Sequence, residues 1–177
     1  MTISTVTITE DEVIEDATFT IEGLEHTWIG DLVATVTHVE SGTTASLFNR
    51  VQRFPSTTDT GDSSDVNGNF TFVDGGAGDL WQEAGTQPNE GVIEGGTFFA
   101  SDIAGNPFSL NDTFAGLSTN SEWQLTLTDA FEREVGSFTA FTVELGTVTA
   151  VPEPGTAVSL GILAMFGGTF YRRRKQS

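Results

Sequence analysis

The stretch Trp123-Gln124-Leu125-Thr126-Leu127-Thr128 alternates large apolar and polar residues without a break. On an extended strand, side chains two apart share a face, so this pattern buries Trp123, Leu125 and Leu127 and leaves Gln124, Thr126 and Thr128 to water. The same period returns at Ala17, Phe19 and Ile21 against Thr18, Thr20 and Glu22, and at Phe141, Val143 and Leu145 against Thr142 and Glu144. From Leu32 to Val39 a Thr-rich run carries β-branched residues on both faces, and further strands are predicted at Ile3 to Ile8, Thr44 to Phe48, Asn69 to Val73 and Gly96 to Ser101. Ser41-Gly42 and Asn67-Gly68 read as turns between them. Pro55 to Asn69 and Gly75 to Gly96 read as loops, the second with one apolar anchor at Leu80-Trp81. Many short strands with frequent reversals predict an all-β chain of sandwich or jelly-roll type.

The 177 residues suit one such domain with appendages. Acids outnumber Lys and Arg 25 to 7, and four of the basic residues, Arg172, Arg173, Arg174 and Lys175, sit together near the C-terminus. The body before Pro152 holds 24 acids against Arg50, Arg53 and Arg133, a charge of -21. Such a surface repels phosphate backbones and argues against nucleic-acid binding. There is no cysteine, which removes disulfides, thiolate catalysis and Cys-type zinc sites.

Hydrolytic chemistry finds little to work with. A Ser-His-Asp apparatus needs a base beside its nucleophile, and the chain has two histidines, His26 near a Gly-Asp turn and His38 in a strand. No Gly-x-Ser-x-Gly occurs, and Gly42-Thr43-Thr44-Ala45 has Thr where a subtilisin-like string has its Ser. Nothing in the spacing of the acids singles out a glycosidase pair. Asp59, Asp62, Asp65, Asn67 and Asn69 crowd one loop with the oxygens calcium prefers, yet Phe70 stands where an EF-hand needs Gly. Asp and Asn also favour turns through side-chain hydrogen bonds to the backbone, and the turn is the preferred reading of this loop. Trp28, Trp81 and Trp123 are either core or platforms for a sugar.

At the C-terminal side, Pro152-Glu153-Pro154 precedes the uncharged run GTAVSLGILAMFGGTFY, Gly155 to Tyr171, and then Arg172-Arg173-Arg174-Lys175. At about 1.5 Å per helical residue the run spans roughly 25 Å, enough for a slightly short membrane helix whose arginines snorkel. The basic end is expected to stay cytoplasmic and the acidic body to lie across the membrane. These three parts in this order resemble the PEP-CTERM sorting tail of bacterial exported proteins. The resemblance implies an exosortase-type processing enzyme acting at the motif, and a destination at the cell surface or in the extracellular matrix, with extracellular polysaccharide as a candidate partner. An exported chain needs an N-terminal signal, and the first 25 residues hold no Lys or Arg and no apolar segment, so the true start is expected upstream.

Two further motifs carry a resemblance. Gly23-Leu24-Glu25-His26-Thr27-Trp28-Ile29-Gly30-Asp31-Leu32-Val33, followed by Ser41-Gly42-Thr43-Thr44 and Leu47-Phe48, is similar to the P domain (P/Homo B domain) of proprotein convertases. Asn120-Ser121-Glu122-Trp123 through Asp129 resembles that family's Gly-Thr-Trp-x-Leu-x-Val-x-Asp strand, and Val135-Gly136-Ser137-Phe138 with Phe141 to Leu145 its closing segment. Glu122 replaces a usual Gly, Phe141 a usual Trp and Glu134 a usual Asp. The resemblance implies a jelly-roll, galactose-binding-like β-sandwich that sits beside a subtilisin-like catalytic domain absent from this chain. It also implies an acidic corner of Asp31, Asp129 and Glu134, with Glu132 nearby, as a candidate calcium site.

The expected organisation is therefore an N-terminal segment over 1–14, a P-domain-like sandwich over 15–148, a linker with the sorting motif over 149–154, a transmembrane helix over 155–171 and a basic cytoplasmic tail over 172–177. The expected function is that of an exported, non-catalytic surface or matrix protein. The alternative is an accessory module that stabilises or targets a separately encoded subtilisin-like serine endopeptidase.

Overall fold

A computed structural model describes residues 1–52, 61–75, 78–88, 91–131 and 136–148. The sequence-predicted strands assemble into two sheets. The first has the order β1 (Thr2–Ile8), β8 (Ser121–Asp129), β3 (Leu32–His38), β4 (Thr43–Asn49), antiparallel throughout. The second runs β6 (Val92–Ile93), β5 (Asp65–Phe72), β2 (Val13–His26), β9 (Ala140–Val148), with β7 (Gly96–Phe98) also joined in parallel to β5.

Period-two alternation decides which way each strand faces. Phe19 and Ile21 of β2 and Trp123 and Leu125 of β8 are all fully buried, while their neighbours Thr18, Thr20, Gln124 and Thr126 keep some exposure. Ring contacts cross from sheet to sheet: Phe19 to Trp123 at 5.5 Å and Phe48 of β4 to Phe72 of β5 at 5.7 Å between centroids. One apolar core thus lies between two facing sheets, as expected of an all-β sandwich.

Residues 1–14, read from the sequence as a segment apart, supply β1, which pairs with β8 from Thr2↔Leu127 to Ile8↔Ser121, and the start of β2. Val6 and Ile8 pack against the core.

Local readings differ from the structure: β5 begins at Asp65, inside the stretch read as a loop to Asn69, and β6 lies within the loop read over Gly75 to Gly96. Asn67-Gly68, read as a turn, lies inside β5. Glycine is needed there because a Cβ on Gly68, whose φ is +146°, would stand 2.4 Å from the Glu94 carbonyl oxygen. The Leu80-Trp81 anchor sits on a short helix, α1 (Leu80–Thr86), and not in a loop. Asp79 caps it, its carboxylate accepting the N–H groups of Trp81 and Gln82. The pattern Asp79-x-x-Gln82 is a capping signal that the loop reading passed over. A second helix, α2 (Leu110–Phe114), lies against β2 and puts Phe114 into the core. Asp74 holds its start, accepting the Ser109 hydroxyl and the Leu110 and Asn111 N–H groups at 2.5, 2.8 and 3.2 Å.

Among the described residues no helix is long and apolar enough to cross a membrane. The expected membrane helix over 155–171, the sorting motif Pro152, Glu153 and Pro154, and the basic residues Arg172, Arg173 and Arg174 lie outside the described residues.

Candidate functional site

The Gly23 to Val33 stretch forms a corner between the sheets. β2 ends at His26, a single 3-10 turn spans Ile29–Asp31, and β3 begins at Leu32, so the chain leaves one sheet and enters the other within a few residues. Gly30 and Gly61 make the crossing possible. A Cβ on Gly30 would lie 2.5 Å from the Gly61 Cα, and Gly30 N–H donates to the Asp62 carbonyl at 3.0 Å. Asp62, buried, is engaged locally, its Oδ1 accepting Ser64 N–H at 2.8 Å.

His26 is buried at this corner. Its Nδ1 accepts the Trp28 N–H at 3.0 Å, which puts the ring proton of the neutral form on Nε2, 3.5 Å from Asp129 Oδ2. Asp129 comes from the end of β8, where it is paired with Leu32, and its Oδ1 accepts Phe131 N–H at 2.9 Å. Gly136 lies over the imidazole; a Cβ there would stand 2.4 Å from His26 Cδ2.

The acidic corner expected from the sequence is reached in part. Asp31 and Asp129 stand at the same end of the β3–β8 pair, with Ala130 N–H donating to the Asp31 carbonyl at 2.8 Å, and Glu134 and Glu132 lie outside the described residues. Among the described residues no three His, Asp or Glu side chains converge as a metal cage. Asp129 directs one oxygen at the Phe131 N–H and the other at His26 Nε2. Asp62, Asp65, Asn67 and Asn69 are likewise distributed: Asp62 turns to the Gly30 corner, while Asn69 Oδ1 accepts Gly23 N–H at 2.8 Å beside the bulge in β2.

Beside His26 opens a cleft of about 390 Å³, lined among others by Glu25, Thr27, Asp65, Asn67 and Ser137. Two carboxylates, Glu25 and Asp65, line it together with His26. Sequence reading missed it because β2, β5 and the segment at 136–137 meet only in the fold.

His38 is the second buried histidine. Nε2 donates to the Ser118 carbonyl at 2.8 Å, leaving Nδ1 to accept from Ser41 Oγ at 2.9 Å and Ser41 N–H at 3.2 Å. The ring stands edge-on to Trp123, 4.9 Å between centroids. A Ser-His contact is a fragment of a hydrolase, yet here it lies within the β3–β4 turn that Gly42 closes by donating to the His38 carbonyl at 2.9 Å. Glu40 of the same turn accepts the Ser121 hydroxyl and the Glu122 N–H, and the Ser121 bond holds its carboxyl below the usual range. The group braces a hairpin against β8.

Trp123 and Trp81 are core residues, fully and almost fully buried, and among the described residues the indole nitrogen of neither has a hydrogen-bond partner. Gly105 closes over the Trp81 ring, where a Cβ would come within 2.7 Å. Neither is placed to be a sugar platform.

No protein-family model matches the sequence, and no curated protein matches it. The solved structures similar to it include the serine protease of Aeromonas sobria in complex with the chaperone ORF2, and that serine protease by itself. The first is 17% identical over 85% of this chain and 20% of the other, with a TM-score of 0.36. The second is 17% identical over 81% and 22%, with a TM-score of 0.43. The chain spans about a fifth of the length of either, and at these values the likeness carries no argument.

Proposed function

We propose that this chain is a non-catalytic, P-domain-like jelly-roll module that binds a subtilisin-like serine endopeptidase encoded elsewhere and stabilises or targets it. One observation carries the reading. The two stretches that resemble the P domain lie about a hundred residues apart, yet β3 and β8 pair along their length and His26 meets Asp129. Motifs that act as one unit are expected to meet in this way. A non-catalytic role is supported by the two histidines, whose four ring nitrogens are all engaged inside the sandwich.

The test is affinity capture of the full chain from its native cell, followed by an endopeptidase assay with a serine-directed inhibitor. Co-purifying, inhibitor-sensitive activity whose thermal half-life shortens when the module is stripped off supports the reading. Capture without a protease overturns it.

The tail motif favours an accompanying reading about address. Pro152-Glu153-Pro154, the apolar run and Arg172 to Arg174 suggest export and exosortase-type sorting to the surface or matrix. Intact-mass analysis of membrane and released fractions tests it: a mature mass ending near Pro152 supports sorting, and an intact Arg-rich end in every fraction overturns it.

A further inference from the structure

Strand β1 differs from every other edge of the sandwich. Among the described residues it pairs with β8 on one side only. Its sequence, TISTVTI, holds no charge, no proline and no glycine, in a chain whose formal charge is -18. Charges, prolines, bulges and covering segments are the usual protection of a strand edge, and β1 has none of the first three. The other edges are managed. Leu47 of β4 takes a hydrogen bond from Ser101 N–H at 3.1 Å, β5 is covered by β6 and β7, and β9 carries Glu144 at its middle.

We propose that β1 pairs antiparallel with β1 of a second copy, joining two four-stranded sheets into one of eight. Charge selects both occupant and direction. Two bodies this acidic repel one another, and contact is favoured where acids are missing; Met1 through Thr9 has none, and Ile3 and Thr5 lie opposite Thr126 and Gln124 across β8, also uncharged. Glu10, Asp11 and Glu12 follow immediately. A parallel pair would set these three against their own counterparts, whereas an antiparallel pair sends them to opposite ends. Full overlap of a seven-residue strand with its two-fold mate puts the axis at Thr5. Ile3 then stands across from Thr7 of the second copy, and Val6 across from its Ser4. Thr5 is exposed, as the contact requires.

A strand pair alone buries little area, so the dimer is weak and concentration-dependent, and it strengthens with salt as the bodies' repulsion is screened.

The chain's lack of cysteine gives a direct test. Full-length Thr5→Cys, in detergent micelles that accommodate its apolar run, is oxidised beside Ser137→Cys, an exposed position on another part of the surface. A disulfide dimer from Thr5→Cys and none from Ser137→Cys is expected; no dimer, or equal dimer from both, overturns the proposal. In light scattering the unmodified chain is expected to dimerise more at high salt, and Thr5→Glu, which sets two carboxylates face to face, to weaken association at least about tenfold. Undiminished dimerisation of Thr5→Glu means that another surface, such as the apolar run, is responsible, and overturns the proposal. So does a monomer whose β1 amides all exchange as slowly as those of β3, because the edge is then covered by the chain itself. Should Thr5→Glu fail to fold, the Thr5→Cys result decides.

Discussion

His26 Nε2 lies 3.5 Å from Asp129 Oδ2, a contact across 103 residues of sequence that fastens the end of one sheet to the end of the other. Asp129 serves two N–H groups at once, those of His26 and Phe131. Replacing it by Ala leaves both without an acceptor, and Asp129→Ala is expected to cost about 1–3 kcal/mol. Asp129→Asn retains a carbonyl oxygen for Phe131 and costs less. Denaturant midpoints at constant slope measure both.

The Gly30–Gly61 crossing has no room for a side chain. The obstacle is backbone, which cannot swing away, so Gly30→Ala is expected to cost about 3 kcal/mol or more, the upper end for overpacking. Gly42→Ala is the comparison: nothing lies within 4 Å of a Cβ there, and its φ of +72° alone costs about 1–2 kcal/mol. Equal losses from thermal unfolding of the two variants would refute the close approach.

Phe19 touches Phe114, Trp123 and Phe141 at centroid distances of 5.6, 5.5 and 6.2 Å. It joins α2, the first sheet and β9. Phe19→Ala empties that junction, and a loss of about 3–5 kcal/mol is expected in equilibrium unfolding. An exposed change such as Glu15→Ala on β2 should stay within about 0.5 kcal/mol.

Acid stability is expected to depend on two surface carboxyls. The Ser121 hydroxyl lowers the pKa of Glu40, and the Asn106 side-chain amide lowers that of Asp102. Folding therefore weakens proton binding, and each group favours the native form above its unfolded pKa. The contribution fades as pH falls through the lowered folded value. Glu40→Gln and Asp102→Asn should flatten the acid limb of a stability–pH curve while leaving its slope above neutrality unchanged.

If the Asp31, Asp129 and Glu134 corner takes calcium, millimolar calcium raises the thermal midpoint and Asp129→Asn abolishes the rise; an unmoved midpoint removes the corner as a cation site.

The period-two runs were legible in the sequence because burial on a strand is written at every second residue: Phe19 and Ile21, Trp123 and Leu125 all lie where alternation puts them. The α1 helix was not, because seven residues are too few to display a helical period and its capping signal sits in a Gly-rich setting. Asn67-Gly68 misled for a related reason. A glycine required by the distant Glu94 carbonyl reads in one dimension like a glycine required by a turn. His26, Asp31 and Asp129 were singled out through a resemblance, and the cleft beside them was invisible because its walls come from β2, β5 and the segment before β9.

The sequence by itself determined that this chain forms strands and which side of each strand seeks the core, since both follow from the geometry of an extended backbone and the aversion of Phe, Trp, Leu and Ile to water. It also determined the acidic surface and the uncharged character of the strand at 2–8. Only the tertiary structure decided the neighbours: β1 beside β8, β3 between β8 and β4, Gly30 against Gly61, and His26 against Asp129. Pairing joins residues far apart along the chain, and hydrogen bonds between backbones are alike whatever side chains they carry. Partner choice is therefore settled by how the whole core packs.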